Sequence, residues 1–224
     1  MSVLPERGTK RSYLPAEERR AQILACARAV FARRGFHVAS IAEICSAAGI
    51  GRGTLYQHFT NKRDVLEAVL EELFERVRGV LASRQSVAEL DGAADAPPAL
   101  ICAFCATRLR RMLDAIFHDE ASLRLVLREA RGLDGGIDAI LARIDGLVLG
   151  AMVTDLESAR RLGVVETAEP ELAARFLLGG VEKLVLDALH ADAPVDLERI
   201  VSVVTDIQLT GLLSERTRAI GRRS

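Results

Sequence analysis

The stretch Ser40–Phe59 reads SIAEICSAAGIGRGTLYQHF, and it decides the fold that we predict for the whole chain. Ser40 and Glu43 have the spacing of a capping box, which predicts that a short helix begins at Ser40. Gly49 suits the left-handed residue that ends such a helix, and a second short helix is expected over about 52–58. Two short helices joined by a turn that contains glycine form a helix-turn-helix.

Longer amphipathic helices flank this pair. Apolar residues recur at helical spacing from about Glu17 to Arg34 and again from Asn61 to about Arg84. Further helices are expected near 99–115, 119–131, 137–162, 169–190 and 195–213. No window shows the alternation that is typical of strands. The predicted fold class is therefore all-α, with an N-terminal three-helix helix-turn-helix domain followed by a larger helical domain.

Charge is divided unevenly along the chain. The 224 residues carry 30 Lys and Arg against 31 Asp and Glu, which gives a formal net charge of −1. Residues 1–63 hold eleven of the bases and four of the acids, a net of +7, so the remainder carries −8. A basic head on an acidic body indicates that the head alone contacts nucleic acid or an acidic membrane. The alternative is a basic, disordered N-terminal tail.

Residues in the second helix of the pair suit DNA recognition. Arg52 is the best candidate to read a base, because its guanidinium fork matches guanine in the major groove, and Gln57 is the second. Gly53 would let the backbone approach the duplex closely. The predicted DNA-contacting set is completed by four residues better suited to phosphates and by the cap of the first helix: Thr54, Tyr56, His58, Lys62 and Ser40. The alternative is a surface helix that is merely polar.

The same residues carry a family resemblance. Phe31, Gly35 and Phe36, followed by AGIGRGTLYQHFTNK over Ala48–Lys62, closely resemble the N-terminal domain of tetracycline-repressor-like (TetR family) regulators over about residues 19–79. The resemblance implies an all-helical, homodimeric, one-component regulator that binds double-stranded DNA.

The resemblance also implies roles for single residues. It assigns base reading to Arg52 and Gln57. It assigns phosphate contacts to the polar residues Thr54, Tyr56, His58 and Lys62. The chain departs from the family pattern at Ala42, where many relatives carry a basic or polar residue, and at Cys45, where a small Ala is common.

The acidic body shows no catalytic motif, and we predict no enzymatic activity, no cofactor and no metal site. Cys102 and Cys105 stand three residues apart, but a zinc site needs further ligands at matching spacing. Buried, inert thiols are the favoured interpretation, and a redox or soft-metal sensor is the alternative.

A ligand cavity is expected among the helices over 99–162, for an unidentified small-molecule effector. Arg108 or Arg128 could anchor an anionic group, although a solvated helix face is the alternative. The candidate lining residues are Cys102, Phe104, Cys105, Arg108, Met112, Phe117, Leu125, Arg128, Ile144, Met152 and Phe176.

The last two predicted helices have wide apolar stripes. These stripes fit either core within the chain or a four-helix interface between two subunits, and the family resemblance favours dimerisation. The candidate interface residues are Phe176, Leu177, Val181, Leu184, Val185, Ile200, Val201, Val204 and Ile207.

These patterns predict a flexible arm over 1–15, a DNA-binding domain over 16–63, a ligand-binding and dimerisation domain over 64–213, and a tail over 214–224. A cytoplasmic protein is expected, since no signal peptide or membrane-spanning run is found. The predicted function is a ligand-responsive transcriptional regulator, a repressor that binds a palindromic operator as a dimer and is released by its effector. The alternatives are a ligand-independent architectural DNA-binding protein and a helical enzyme with a DNA-targeting head.

Overall fold

A computed structural model describes residues 14–83, 95–117, 130, 132–190, 196–212 and 215 of the chain. Within those residues the fold is helical and contains no β-strand, which confirms the predicted all-α class. The described helices are α1 (Ala16–Arg34), α2 (Ile41–Ala48), α3 (Arg52–Tyr56), α4 (Lys62–Ala82), α5 (Pro98–Phe117), α6 (Gly135–Arg161), α7 (Pro170–His190) and α8 (Leu197–Leu212). The predicted arm, nearly all of the predicted helix over 119–131 and nearly all of the tail lie outside the described residues.

The residues predicted to begin and end the first short helix, α2, are confirmed. The Ser40 hydroxyl accepts a hydrogen bond from the Glu43 backbone N–H, and the Glu43 carboxylate accepts one from the Ser40 backbone N–H, so the capping box is complete. Gly49 ends α2 with a left-handed φ of 63°. The helix α3 is shorter than expected, because it ends at Tyr56 and His58 lies in the turn that follows.

One continuous apolar core joins the N-terminal helices to the body. Phe31 and Leu55 are fully buried in it, as are Leu66 and Leu70 of α4. The same core extends to Ile137 at the start of α6. The helix α4 therefore packs against α1 on one side and against α6 on the other, and no linker separates head from body.

Two smaller apolar clusters complete the body. One contains Ile101 of α5 with Ala159 and Val164 near the end of α6. The other contains Leu113 of α5 with Val185 of α7 and neighbouring residues of α8. None of the described helices combines the length with the apolar character that crossing a bilayer requires.

The apolar stripes of α7 and α8 divide between the inside and the outside of the chain. Leu177, Val185, Ile200, Val201 and Val204 are buried within the chain itself, as in the core interpretation of these stripes. Among the side chains of these helices that the structure describes, the large exposed apolar ones are Leu172, Phe176, Leu184, Val203 and Ile207. Val181 is half-buried. Leu172 and Val203 were absent from the predicted interface.

Candidate functional site

The helix α3 presents a polar face on a buried anchor. Leu55 is fully buried, whereas Arg52, Tyr56 and Gln57 are exposed. In the part of the chain that the structure describes, these three exposed side chains make no hydrogen bond or ion pair. They therefore remain available to an incoming partner. Thr54 and His58 are half-buried at the edge of the same face, and Gly53 is exposed, with open space around its Cα.

Neighbouring helices fix the position of α3. The Gln22 side chain of α1 donates a hydrogen bond to the Ala48 carbonyl at 3.1 Å, which closes the C-terminal end of α2. The Ile50 backbone N–H donates to the Cys45 carbonyl at 3.0 Å and fixes the turn that leads into α3. The Arg20 guanidinium lies 5.2 Å from the centre of the buried Phe59 ring. The exposed face of α3 is thus held on a rigid support.

Ser40 does not present the free donor that the sequence suggested. Its hydroxyl donates to the Glu43 carboxylate at 2.9 Å and accepts from the Glu43 backbone at 3.2 Å. These Ser40 hydrogen bonds are the main reason that the pKa of Glu43 lies below its usual range, and Arg34 adds to the effect. The structure therefore makes Ser40 the cap of α2, and its assignment as a DNA contact stays a prediction.

Lys62 is also occupied within the protein. Its ammonium donates to the carbonyl oxygens of Phe36, His37 and Ala39, at 2.6, 3.1 and 2.8 Å. It lies 4.5 Å from the centre of the Phe36 ring. An ammonium has three hydrogens to donate, and all three have acceptors here. Lys62 therefore ties the link between α1 and α2 to the start of α4, and the expected phosphate contact stays a prediction.

A charged clasp joins the start of α4 to the start of α6. The Arg63 guanidinium donates two hydrogen bonds to the Asp134 carboxylate, at 2.7 and 2.8 Å, and pairs with Glu67 at 2.9 Å. The same carboxylate caps α6 by accepting from the backbone of Gly136 and Ile137. Hydrogen bonding from Arg63 is the main reason that the pKa of Asp134 lies far below its usual range.

Gly136 leaves room for this clasp. A Cβ atom at this position would lie 2.4 Å from the Arg63 guanidinium. Further along the same pair of helices, Arg143 of α6 pairs with Glu71 of α4 at 2.6 Å and lies 4.1 Å from the centre of the Phe74 ring. Neither contact was predicted, because the partners are far apart in the chain.

The predicted ligand region is partly assembled in the middle of the body. Arg108 of α5 lies 5.3 Å from the centre of the Phe104 ring and pairs with Asp155 of α6. Burial is the main reason that the pKa of Cys105 is raised, and Cys102 lies near enough to contribute. A raised pKa keeps the Cys105 thiol protonated and poorly reactive. Asp155 was missing from the sequence prediction.

The other predicted lining residues behave differently. Met152 is half-buried on α6, while Ile144 is buried in the main core and Met112 packs against that core. Phe176 is 75% exposed on α7, so its assignment to an enclosed cavity is wrong. The Phe117 side chain, Leu125 and Arg128 lie outside the described residues.

Similarity to known proteins lies mainly in the head. A family model described as bacterial regulatory proteins, tetR family, matches residues 23–69. The HTH-type transcriptional activator FasR of Mycolicibacterium smegmatis is 34% identical over 128 residues, which are 54% of this chain and 52% of that protein. The chain thus spans about half the length of this curated relative.

Solved structures match the chain along most of its length. FadR from Bacillus subtilis, a transcriptional regulator solved in complex with stearoyl-CoA, matches with a TM-score of 0.67 and 20% identity. The match covers 85% of this chain and 98% of that one. SmeT, the repressor of a Stenotrophomonas maltophilia multidrug efflux pump, matches with a TM-score of 0.61 and 24% identity, over 88% and 91% of the two chains. At these identities the likeness shows the fold alone.

Proposed function

We propose that the chain is a ligand-responsive transcriptional regulator of the TetR family that binds a palindromic DNA operator as a homodimer, because residues 23–69 match the model of the tetR family of bacterial regulatory proteins. The observation that carries this proposal is the exposed face of α3. Within the described residues, the side chains of Arg52, Tyr56 and Gln57 make no hydrogen bond or ion pair. They lie on a head, residues 1–63, whose net charge is +7.

On DNA, the roles divide by side-chain chemistry. Arg52 at the start of α3 reads guanine, and Gln57 reads a second base in the major groove. Thr54, Tyr56 and His58, at the edges of the face, bind phosphates. The acidic body is repelled by the duplex, so the charge distribution orients the head toward the DNA.

Dimerisation follows from the length of the reading helix. The helix α3 has only five residues and reads few base pairs, so two half-sites are needed for high affinity. The exposed apolar residues of α7 and α8 favour an interface between subunits at these helices. Phe176 is 75% exposed, Leu172 62% and Ile207 50%, which is unusual for a helix surface that faces only water.

The effector is proposed to bind in the middle of the body and to favour a dimer geometry with the wrong spacing for the operator. A ligand shifts this equilibrium only through its different affinity for the two geometries. We propose that the protein represses transcription and that the effector relieves this repression. SmeT is named a repressor and FasR an activator, and a reporter gene behind the selected operator distinguishes the two directly.

Selection of binding sites from random DNA by the full-length protein tests the proposal. We expect an enriched palindrome with half-sites separated by one or more helical turns. Equal affinity for enriched and scrambled sequences would instead support an architectural DNA-binding protein. A loss of operator binding on adding a cell extract of small metabolites, reversed by dialysis, tests ligand response.

A further inference from the structure

Part of the positive charge of the head is neutralised by the body. The Arg28 guanidinium of α1 donates to the Glu72 carboxylate of α4 at 2.8 Å, and Arg63 donates to Asp134 at 2.7 Å. Both acids lie beyond residue 63, so the net charge of +7 overstates the charge that the head offers to DNA. Lys62 is engaged as well, by three backbone carbonyls.

The sequence places three further bases shortly before α1. Residues 7–11 read RGTKR and contain no acid, which makes them the densest run of positive charge in the head. They lie outside the part of the chain that the structure describes, and the match to the family model begins only at residue 23. Gly8 and Thr9, which separate the bases, are small. The segment is therefore slender as well as basic.

The start of α1, which this segment precedes, lies beside α3. Gln22 of α1 donates to the Ala48 carbonyl at the end of α2, at 3.1 Å. The Arg20 guanidinium lies 5.2 Å from the centre of the ring of Phe59, which follows the last residue of α3 by three positions. The basic segment therefore joins the head next to the helix that is proposed to read bases.

The segment is long enough to reach a neighbouring groove of the duplex. Arg11 lies four positions before Pro15 and Arg7 lies eight, which allows up to about 14 and 28 Å between the Cα atoms. With α3 in the major groove, the adjacent minor groove lies half a helical turn, or about 17 Å, away along the duplex. The minor groove is only about 6 Å wide, so it admits a slender segment but not a helix.

We propose that the segment Arg7–Arg11 binds the minor groove beside each half-site and favours A·T pairs there. This inference rests on the operator binding proposed above and adds a second reading element to each subunit. The narrow minor groove of A·T tracts has an enhanced negative potential that attracts arginine and lysine side chains. A G·C pair adds the guanine amino donor to that groove, where it faces side chains that can only donate.

Three designed operators separate reading of the groove from contact with phosphates alone. The selected half-sites are kept, and about four base pairs on either side of each are made all A·T, all inosine·cytosine or all G·C. An inosine·cytosine pair lacks the guanine amino group, so it resembles A·T in the minor groove and G·C in the major groove. We expect full-length protein to bind the first two operators within about twofold of each other and the G·C operator about tenfold more weakly.

Replacing the three bases of the segment should remove this preference. The triple variant Arg7→Gln, Lys10→Gln and Arg11→Gln should bind all three operators equally and keep the wild-type preference within the half-site. Its slope of log affinity against log salt should be shallower by up to about three per subunit. The matched control removes three exposed cations of the body and should keep the flank preference: Arg78→Gln, Arg111→Gln and Arg160→Gln.

Hydroxyl-radical footprinting gives an independent readout, because the radical attacks sugars from the minor-groove side. Wild type and control should protect the A·T flanks of the half-sites, and the triple variant should leave those flanks open to cleavage.

Three results would overturn the inference while the proposed function stands. A shallower slope with equal binding to all three operators would mean that the segment contacts phosphates alone. An unchanged slope would mean that its bases do not meet DNA, as when the exposed Glu17 and Glu18 of α1 pair with them. A flank preference that survives in the triple variant would arise elsewhere in the complex. If no operator is enriched from random DNA, the proposed function fails and this inference fails with it.

Discussion

The head and the middle of the body differ in how completely their side chains are buried or hydrogen-bonded within the chain. In the head, the hydroxyl of Ser40 and the ammonium of Lys62 are satisfied within the chain, and the apolar residues beneath α3 are fully buried. In the middle of the body, Leu147–Leu149 are only half-buried. The tightly packed head holds the exposed face of α3 in one geometry, whereas the middle of the body is less completely packed.

The largest expected effect compares packing in the two regions. Phe31→Ala removes a fully buried ring from the head and should lower the free energy of unfolding by about 3–5 kcal/mol. Met152→Ala, in the half-buried stretch of α6, should lower it by only about 1 kcal/mol. Urea unfolding at one fixed protein concentration measures both. Equal losses would remove the proposed difference in packing.

Arg52→Ala tests whether the exposed face of α3 reads bases. It should weaken binding to the selected operator by about 1–3 kcal/mol and relax the base preference at one position of each half-site. Arg33→Ala, which removes an exposed cation from α1, is the control and should leave the base preference intact. Competition between operator and mutated sites measures the effect. A uniform loss on every sequence would contradict base reading by Arg52.

Lys62→Met tests whether this lysine serves the fold or the DNA. Three carbonyls lose a charged donor, so the free energy of unfolding should fall by about 1–3 kcal/mol. Operator affinity should decline alike on all sequences, and the slope of log affinity against log salt should stay the same. If instead stability is unchanged and the slope falls by about one, Lys62 contacts a phosphate.

Asp134→Asn tests the clasp between the two regions through pH. A carboxyl whose pKa is lowered by folding stabilises the fold above its unfolded pKa, and this contribution is lost as pH falls through the folded value. The difference in stability between wild type and variant should therefore be constant near neutral pH and should shrink below about pH 4. Gly136→Ala disturbs the same clasp and should show the same trend. A constant difference down to pH 2 would mean that the ionised Asp134 carboxylate contributes nothing to stability through the clasp.

The same two variants test whether the clasp couples effector binding in the body to DNA affinity in the head. Either variant should bind the effector and the operator separately, but the effector should change operator affinity less than in the wild type. Coupling between sites is typically about 1–3 kcal/mol, so the reduction is measurable by titrating the effector into the operator complex. Undiminished release would show that another contact links the body to the head.

Sequence patterns predicted what depends on neighbours in the chain. The capping box at Ser40, the left-handed Gly49 and the stripe that buries Phe31 are local signals, and each is confirmed. The missed contacts join residues far apart. Lys62 reaches the carbonyl of Phe36 across 26 positions, and Arg63 reaches Asp134 across 71, and no spacing rule encodes such pairs.

The candidate sites divide in the same way. Exposure of Arg52 and Gln57 followed from helical periodicity around Leu55. The stripe on α7 and α8 was too wide to show which residues face the chain and which face outward, because two apolar faces merge in one pattern. Phe176 was assigned to a cavity for this reason, and it lies on the surface.

The continuous core sets a limit on modularity. Leu66 and Leu70 of α4 share one core with Phe31 and Ile137, so the apolar core continues past residue 63 without a break. A chimera that joins the N-terminal helices of this chain to the body of a relative must include α4 through Ala82. It must also rebuild the surface of α4 that α6 covers. A fragment cut at residue 63 would expose apolar side chains that the intact chain buries, and we expect it to aggregate.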